Sequence, residues 1–264
     1  MSAALVLALL LVMLAAGIPV AFSLLVAGAV GLLSHGGSGL LTGILSTTSL
    51  STVNSYELIS IPMFILMAEF VILSGVAENL FRSAAIWIGR TPGGLGIATA
   101  LAGAGFGAIS GSSTAAAATL SSTSIPAMLK HGYEPRLACG VVAISGTLAM
   151  LIPPSIALII FGIIADVSVG KLLIGGVIPG LLVTLVIILT VLALVWQDPS
   201  RAPRGSSYTL REKVVSLRGI WPMIALLGSV TGVIYAGVAT PTEASAFGAV
   251  GALVIAALAR RLSS

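Results

Sequence analysis

Long apolar runs separated by short polar gaps restrict the possible folds of this chain more than any other feature. Residues 3–33 are almost uninterrupted apolar. Further apolar runs lie at 58–73, 137–164, 172–196, 220–237 and 242–262. A membrane-spanning helix needs about 20 apolar residues, and with only 8% charged residues the chain cannot coat the surface of a water-soluble domain. We therefore predict an all-α, polytopic membrane protein.

The first apolar run contains a Gly-Ile-Pro sequence at 17–19, where the proline removes a helix hydrogen bond. One long kinked helix and two short helices both fit this pattern. A polar, Ser/Thr-rich link is expected from His35 to Tyr56. Because the N-terminus is apolar from the start and lacks the basic region of a secretory signal, we expect a retained membrane helix there.

The segment 93–130 differs from its neighbours because it is rich in Gly, Ala, Ser and Thr. A polar cluster from Ser110 to Thr114 divides it into two arms of about 15 residues, each near 23 Å if helical. That length is shorter than the roughly 30 Å hydrocarbon core of a bilayer. The segment therefore predicts a re-entrant helical hairpin with a polar tip.

The apolar run that follows the hairpin is interrupted twice. Ser145-Gly146-Thr147 lies in its middle, and a proline pair, Pro153 and Pro154, comes shortly after it. Pro154 has no amide proton, and it pushes Pro153 out of the helical region. We predict a discontinuous helix, a structure that membranes tolerate only where protein or a watery cavity covers the irregular backbone.

The basic residues lie in the gaps between apolar runs, which indicates membrane topology rather than nucleic-acid binding. If the loop at 198–218 is cytoplasmic, all of the twelve Lys and Arg except Lys171 fall on the cytoplasmic side. This arrangement requires the hairpin to enter and leave the membrane on the same face.

The hairpin tip and the first break carry groups that suit a small ion. Interrupted helices leave unpaired carbonyls at one end and unpaired amides at the other. Carbonyl and hydroxyl oxygens suit a hard cation such as sodium, and helix N-termini attract carboxylates. The candidate sodium ligands are Ser110, Gly111, Ser112, Ser113, Ser145, Gly146 and Thr147. The candidate substrate-binding residues are Ser112, Ser113, Thr114, Pro153 and Pro154. The alternative is that these small polar residues only join helices together.

Several weak motifs occur in a specific order along the whole chain. They are Gly17-Ile18-Pro19-Val20-Ala21-Phe22, Ile59-Ser60-Ile61-Pro62-Met63-Phe64, Gly107-Ala108-Ile109-Ser110-Gly111-Ser112, Ile125-Pro126-Ala127-Met128 with Gly132-Tyr133, Ile152-Pro153-Pro154-Ser155, and Thr240-Pro241-Thr242-Glu243-Ala244. This ordered set resembles the DctM-type large permease subunit of TRAP transporters.

The resemblance implies an elevator-type permease of the bacterial inner membrane, built on one of two inverted repeats. It implies sodium-coupled uptake of small organic anions such as dicarboxylates, keto acids or sugar acids. A small TRAP membrane subunit and a periplasmic substrate-binding protein would be its partners. The first hairpin tip and the following helix break contribute to a sodium site in this family. That role carries over here to the seven candidate sodium ligands.

The family's large subunit continues with a second, inverted repeat, whereas this sequence ends at Ser264. We expect that half of the substrate site is missing, so the chain would be a fragment, a split product that needs another chain to supply the second repeat, or a degenerate copy. Another sodium/anion symporter of the same superfamily is the closest alternative function. An enzyme is not expected, because no catalytic pair of polar residues is visible.

The predicted organisation is a single membrane domain over 1–264. Its segments are the scaffold helices 1–92, the hairpin 93–131, the broken helix 134–173, a span at 174–197, the cytoplasmic loop 198–218 and further scaffold helices at 219–264. Three other residues have predicted structural roles. Cys139 is expected to be buried packing, Glu69 to lie near a membrane interface, and Glu243 to cap a helix that begins near Thr240.

Overall fold

The computed structural model describes residues 3–203, 205 and 208–259, and every regular element among them is a helix. The chain divides into two compact units, Met1–Ser55 and Tyr56–Ser264. The helices are α1 Ala3–Ala15, α2 Val20–Val53, α3 Ser60–Leu73, α4 Val76–Ile88, α5 Gly94–Ser110, α6 Ser113–Lys130, α7 Pro135–Thr147, α8 Ile156–Ile164, α9 Val169–Gln197, α10 Leu210–Arg218, α11 Trp221–Tyr235 and α12 Pro241–Leu258. Short 3-10 turns lie at Tyr56–Ile59, Leu148–Met150 and Pro199–Arg201.

The lengths and compositions of the helices confirm a multi-pass membrane protein. Four helical stretches are long and apolar enough to cross a bilayer, at Val20–Thr48, Tyr56–Leu73, Val169–Gln197 and Pro241–Leu258. Helices α10 and α11 together form a fifth, bent candidate with an angle of 56° between its halves. Helices α5 and α6 have 17 and 18 residues, or about 26 Å each, so both arms of the hairpin are shorter than the bilayer core.

The first unit contains two helices instead of one kinked helix. Gly17 takes a φ of +80° between them, a conformation that glycine adopts without steric cost. The polar link predicted from His35 to Tyr56 is wrong, because α2 continues to Val53 with one non-helical residue, Gly37. The hydroxyls of Thr42 and other residues donate to carbonyls of the preceding turn, so the polar composition does not end the helix.

The second unit has two main apolar cores. Helices α3, α11 and α12 supply most of the first, which includes Phe64, Met67, Val230 and Ala252. Helices α4, α5, α6, α7 and α9 supply the second, which includes Phe81, Leu120, Met128, Val141 and Val191. The second core holds the predicted hairpin (93–131) and the start of the predicted broken helix (134–173) against the long span α9.

Three hydrogen bonds between distant segments gather the basic stretches at one end of this unit. They join the Leu95 N–H to the Tyr133 hydroxyl (3.0 Å), the Glu134 N–H to the Arg201 carbonyl (2.8 Å) and the Ser83 hydroxyl to the Ser216 carbonyl (2.9 Å). Lys171 lies near the other end of α9, a helix of 29 residues and about 44 Å. The two ends of the hairpin are therefore adjacent, at the basic end of this unit. That this end faces the cytoplasm stays a prediction. Arg204, Arg260 and Arg261 lie outside the described residues.

The three predicted structural residues have different outcomes. Glu243 forms the expected cap, since its carboxylate accepts from the Thr240 N–H at 2.8 Å and its own N–H donates to the Thr240 hydroxyl at 3.3 Å. Glu69 is exposed on α3. The burial predicted for Cys139 is wrong, because its side chain is exposed. The buried face of α7 runs through Ala138, Val142 and Ser145, and Cys139 lies outside that stripe.

Candidate functional site

The tip of the hairpin is a tight turn between α5 and α6. Gly111 ends α5 with a φ of +57°, and its N–H donates to the Gly107 carbonyl at 2.9 Å. Ser112 begins α6 in an extended conformation, and its hydroxyl accepts from the Ala115 N–H at 3.4 Å. The turn therefore places the carbonyl end of one helix beside the amide end of the next.

The hydroxyls of the tip differ in how well they are bound by protein partners. The buried Ser110 hydroxyl makes only long contacts, of 3.4 Å, with the backbone of Ser112. The Ser112 hydroxyl pairs with that of Thr114 at 3.0 Å. Ser113 is partly buried and Thr114 is exposed. The long Ser110 contacts leave oxygen lone pairs that can accept a better partner.

The discontinuous helix is confirmed, but it has one interruption instead of two. The first predicted break is wrong, because Ser145, Gly146 and Thr147 form the last turn of α7, directly before the interruption. Helix α7 ends at Thr147, the 3-10 turn Leu148–Met150 follows, and α8 starts after Ser155. The Ser155 hydroxyl accepts from the Leu158 N–H at 3.3 Å and donates to the Met150 carbonyl at 2.8 Å. Pro153 and Pro154 are buried between the two helical parts.

A stripe of glycines on α5 lets the hairpin pack directly against the broken helix. A β-carbon built on Gly103 would lie 2.9 Å from the Ser145 β-carbon, and one built on Gly107 would lie 2.7 Å from the Ala149 α-carbon. One built on Gly111 would lie 2.7 Å from the Pro154 carbonyl oxygen. Helix α5 therefore runs parallel to the chain from α7 into the break, at a distance that only glycine permits at these positions.

This packing brings matching ends of two interrupted helices together. The carbonyl ends of α5 and of the Leu148–Met150 turn lie side by side. On the other side of the tip, the Ile156 N–H donates to the Gly111 carbonyl at 3.3 Å. The N-termini of α6 and α8 are thus neighbours, each with a serine cap. The carbonyl ends of the helices favour a cation, and the amide ends favour an anion.

The structure brings some of the predicted site residues together and keeps others apart. Pro154 lies against the tip, as a shared site requires. Ser145 instead lies beside Gly103, seven residues before Ser110, which is roughly 10 Å along α5. A sodium ion bound directly by the tip hydroxyls is therefore too far from the Ser145 hydroxyl in this arrangement. The seven candidate ligands form a tip group, Ser110 to Ser113, and a break group, Ser145 to Thr147.

The break group itself offers one unsatisfied oxygen. The Ser145 hydroxyl is buried and has no hydrogen-bond partner within the described part of the chain. Gly146 packs against α6, where a β-carbon would lie 2.8 Å from that of Ala117. Thr147 is exposed, and its hydroxyl donates to the Ile144 carbonyl at 2.7 Å. Ser145 is therefore the member of this group with an oxygen available for a ligand.

Ser155 is the residue at the tip that sequence reasoning missed. It is fully buried and caps the helix that begins next to Gly111. Its position directly after a proline pair and before an apolar helix was the available signal. The segments 103–117 and 144–158 contain no charged residue, so these segments can offer a ligand only neutral oxygens, amides and helix dipoles.

Comparison with known proteins gives a consistent family. The model of the tripartite ATP-independent periplasmic transporter DctM component matches residues 7–264. The C4-dicarboxylate TRAP transporter large permease protein DctM of Vibrio cholerae is 36% identical over 97% of this chain and 56% of its own length. The ectoine/5-hydroxyectoine TRAP transporter large permease protein UehC of Ruegeria pomeroyi is 32% identical over 96% of this chain and 59% of its own length.

A third relative is the 2,3-diketo-L-gulonate TRAP transporter large permease protein YiaN of Escherichia coli. It is 33% identical over 94% of this chain and 57% of its own length. The chain spans somewhat more than half the length of these three relatives.

Proposed function

The chain belongs to the DctM family of TRAP transporter large permeases, and on that premise we propose that it takes part in sodium-coupled uptake of small organic anions. The family identifies a transporter component rather than an enzyme. The observation that carries the proposal is the meeting of two interrupted helices at Gly111 and Ile156. Discontinuous helices of this kind form ion and substrate sites in secondary transporters.

The proposed substrate site is the pair of helix N-termini at Ser112 and Ser155. Each terminus presents the positive end of a helix dipole. The Ile156 and Leu158 N–H groups of α8 are already bound, to the Gly111 carbonyl and the Ser155 hydroxyl, so the dipole is the main attraction at that terminus. Two of them side by side suit the two oxygens of a carboxylate without any charged side chain. Ser113, Thr114 and the Pro153–Pro154 pair would line the same space. A carboxylate is therefore the chemical group we assign to the substrate.

The proposed sodium site is the tip group, Ser110 to Ser113. The Ser110 hydroxyl makes only contacts of 3.4 Å, and it lies at the carbonyl end of α5. Neutral oxygens of this kind bind sodium weakly enough to release it after transport. The break group, Ser145 to Thr147, would contribute through the unpaired Ser145 hydroxyl, either to a second ion or after the hairpin moves along α7.

The remaining parts of the transporter are also proposals. Because the chain spans somewhat more than half of its relatives, we propose that a second, inverted repeat completes the substrate site. A small membrane subunit and a periplasmic binding protein would deliver the solute across the bacterial inner membrane. The relatives are named for different solutes, including a C4-dicarboxylate and 2,3-diketo-L-gulonate. We therefore propose dicarboxylates, keto acids and sugar acids as the first substrates to test.

The test is uptake into proteoliposomes that contain this chain with the segment completing the large subunit, the small subunit and the binding protein. Radiolabelled dicarboxylates and sugar acids are supplied under an inward sodium gradient and, separately, an equal potassium gradient. We expect uptake only with sodium, and we expect a Ser112→Ala, Ser113→Ala double variant to lose it.

The matched control is a Ser121→Ala, Ser122→Ala double variant on the same helix. Both control hydroxyls are exposed and donate to carbonyls of their own helix, so this variant should transport normally. Equal uptake with potassium would contradict sodium coupling. Equal loss in both double variants would contradict the assignment to the tip.

A further inference from the structure

A cavity outside the hairpin site lies between α4 and α10, at the basic end of the second unit. Its volume is about 560 Å³, and its lining includes Asn79, Arg82, Tyr208, Arg211 and Glu212. Two guanidinium groups from different helices thus share one cavity with an amide and a phenol. The proposed transport function uses none of these side chains.

The two helices that form this cavity are joined by specific contacts. The Ser83 hydroxyl donates to the Ser216 carbonyl at 2.9 Å, and the Trp87 indole N–H donates to the Lys213 carbonyl at 3.1 Å. The Lys213 ammonium lies 5.9 Å from the centre of the Trp87 ring, within the range of a cation–π interaction. The cavity is therefore a defined feature between two connected helices.

Helix α10 has the orientation and pattern of a helix at a membrane surface. It makes an angle of 56° with the apolar helix α11, so it turns away from the direction of that span. Leu210, Val214 and Leu217 are spaced as one helical face, and all three are exposed. Three of the other six residues of α10 are basic, Arg211, Lys213 and Arg218. An exposed apolar face beside basic residues is typical of a helix that lies at the level of lipid headgroups.

The charges of the cavity favour an anion. Neither Arg82 nor Arg211 forms an ion pair within the described residues. The single carboxylate of the lining, Glu212, is already bound at the start of α10. It accepts from the Thr209 N–H at 2.7 Å and from the Thr209 hydroxyl at 2.8 Å. The two arginines therefore leave a net positive site whose donors match phosphate oxygens.

We propose that this cavity binds the phosphate headgroup of an anionic phospholipid. Arg82 and Arg211 would hold the phosphate, and Asn79 and Tyr208 would donate further hydrogen bonds. The acyl chains would pass Leu210, which directly precedes Arg211 and is exposed. A membrane lipid fits better than a free phosphate because α10 also carries an exposed apolar face, Leu210, Val214 and Leu217, outside the cavity lining. Bound in this way, the lipid would fasten α4 and α10 to the headgroup layer.

The experiment measures lipid retention on the purified chain by native mass spectrometry. The chain is offered phosphatidylglycerol or phosphatidylcholine in a neutral detergent, with and without millimolar inorganic phosphate. We expect preferential retention of phosphatidylglycerol that inorganic phosphate does not displace. Each basic residue near an anionic lipid surface changes affinity about fivefold. An Arg82→Gln, Arg211→Gln double variant should therefore bind phosphatidylglycerol roughly 30-fold more weakly.

The matched control changes two basic residues that do not line the cavity, Arg90→Gln and Lys130→Gln. This control removes the same net charge from the same end of the protein, and we expect it to weaken lipid binding clearly less than the cavity variant does. An equal loss in the two double variants would overturn the proposal. Lipid retention by the wild-type protein alone also tests the proposal. Equal retention of the two lipids, or displacement by inorganic phosphate, would overturn it.

Discussion

Replacing Gly107 with alanine tests the packing that brings the two interrupted helices together. The new β-carbon would lie 2.7 Å from the Ala149 α-carbon and 2.8 Å from its amide nitrogen. Both are backbone atoms, so no side-chain rotation relieves the contact. Overpacking of this kind costs about 1–3 kcal/mol, while alanine gains about 1 kcal/mol over glycine in a helix interior. The matched control is Gly140→Ala on α7, where a β-carbon meets no atom within 4 Å.

The two variants share the helix-propensity gain, so the difference between them isolates the close contact. That difference of about 1–3 kcal/mol corresponds to roughly 2–12 °C in Tm, since 1 kcal/mol shifts the Tm of a protein of this size by about 2–4 °C. Thermal unfolding in detergent, followed by intrinsic fluorescence, measures it. We expect Gly140→Ala to unfold at or above the wild-type temperature and Gly107→Ala to unfold below the control. Equal unfolding temperatures for the two variants would refute the parallel packing of α5 against the broken helix.

Three smaller predictions concern single side chains. Thr240→Ala removes the hydroxyl that receives the Glu243 N–H, and we expect a loss of about 0.5–2 kcal/mol in unfolding free energy; an unchanged Tm would argue against this cap. Hydrogen bonds from the Ser200 hydroxyl and amide lower the pKa of Asp198 below its ordinary value. The stability from this carboxylate is therefore present above pH 4 or so and is lost as pH falls through the lowered pKa. Asp198→Asn should flatten the fall of Tm between about pH 5 and pH 2, and an unaltered acid profile would contradict this. Ser145→Ala removes a buried, unpartnered hydroxyl, so in potassium buffer we expect an unchanged or higher Tm; a clear drop in Tm would mean that the hydroxyl has a partner in the folded protein.

The sequence predicted the hairpin and the broken helix because their signals are local. Gly111 permits a left-handed turn, Ser112 caps a helix, and the proline pair at 153–154 interrupts one. Each of these effects depends on a residue and its immediate neighbours. The presence and order of these elements could therefore be read before any packing was known.

The parts that sequence reasoning missed depend on distant partners. In the sequence, Gly103 and Gly107 indicate only that helices can pack closely. The structure shows that they face Ser145 and Ala149. The separation of Ser145 from the tip by two turns of α5 follows from that same contact. The polar stretch after His35 was ambiguous for another reason, since serine and threonine occur in loops and also in helices where they bond back to the preceding turn.

The most direct test of the central claim is sodium binding at the hairpin tip of the purified chain. Thermal unfolding is measured in sodium chloride and in potassium chloride at equal ionic strength, because a ligand that binds the folded state raises its stability by about 1.4 kcal/mol at ten times its Kd. We predict a higher Tm in sodium for the wild type and for the Ser121→Ala, Ser122→Ala control. We predict no sodium effect for the Ser112→Ala, Ser113→Ala variant. A sodium effect that survives in this last variant, or one that potassium reproduces in the wild type, would contradict a sodium site at the tip.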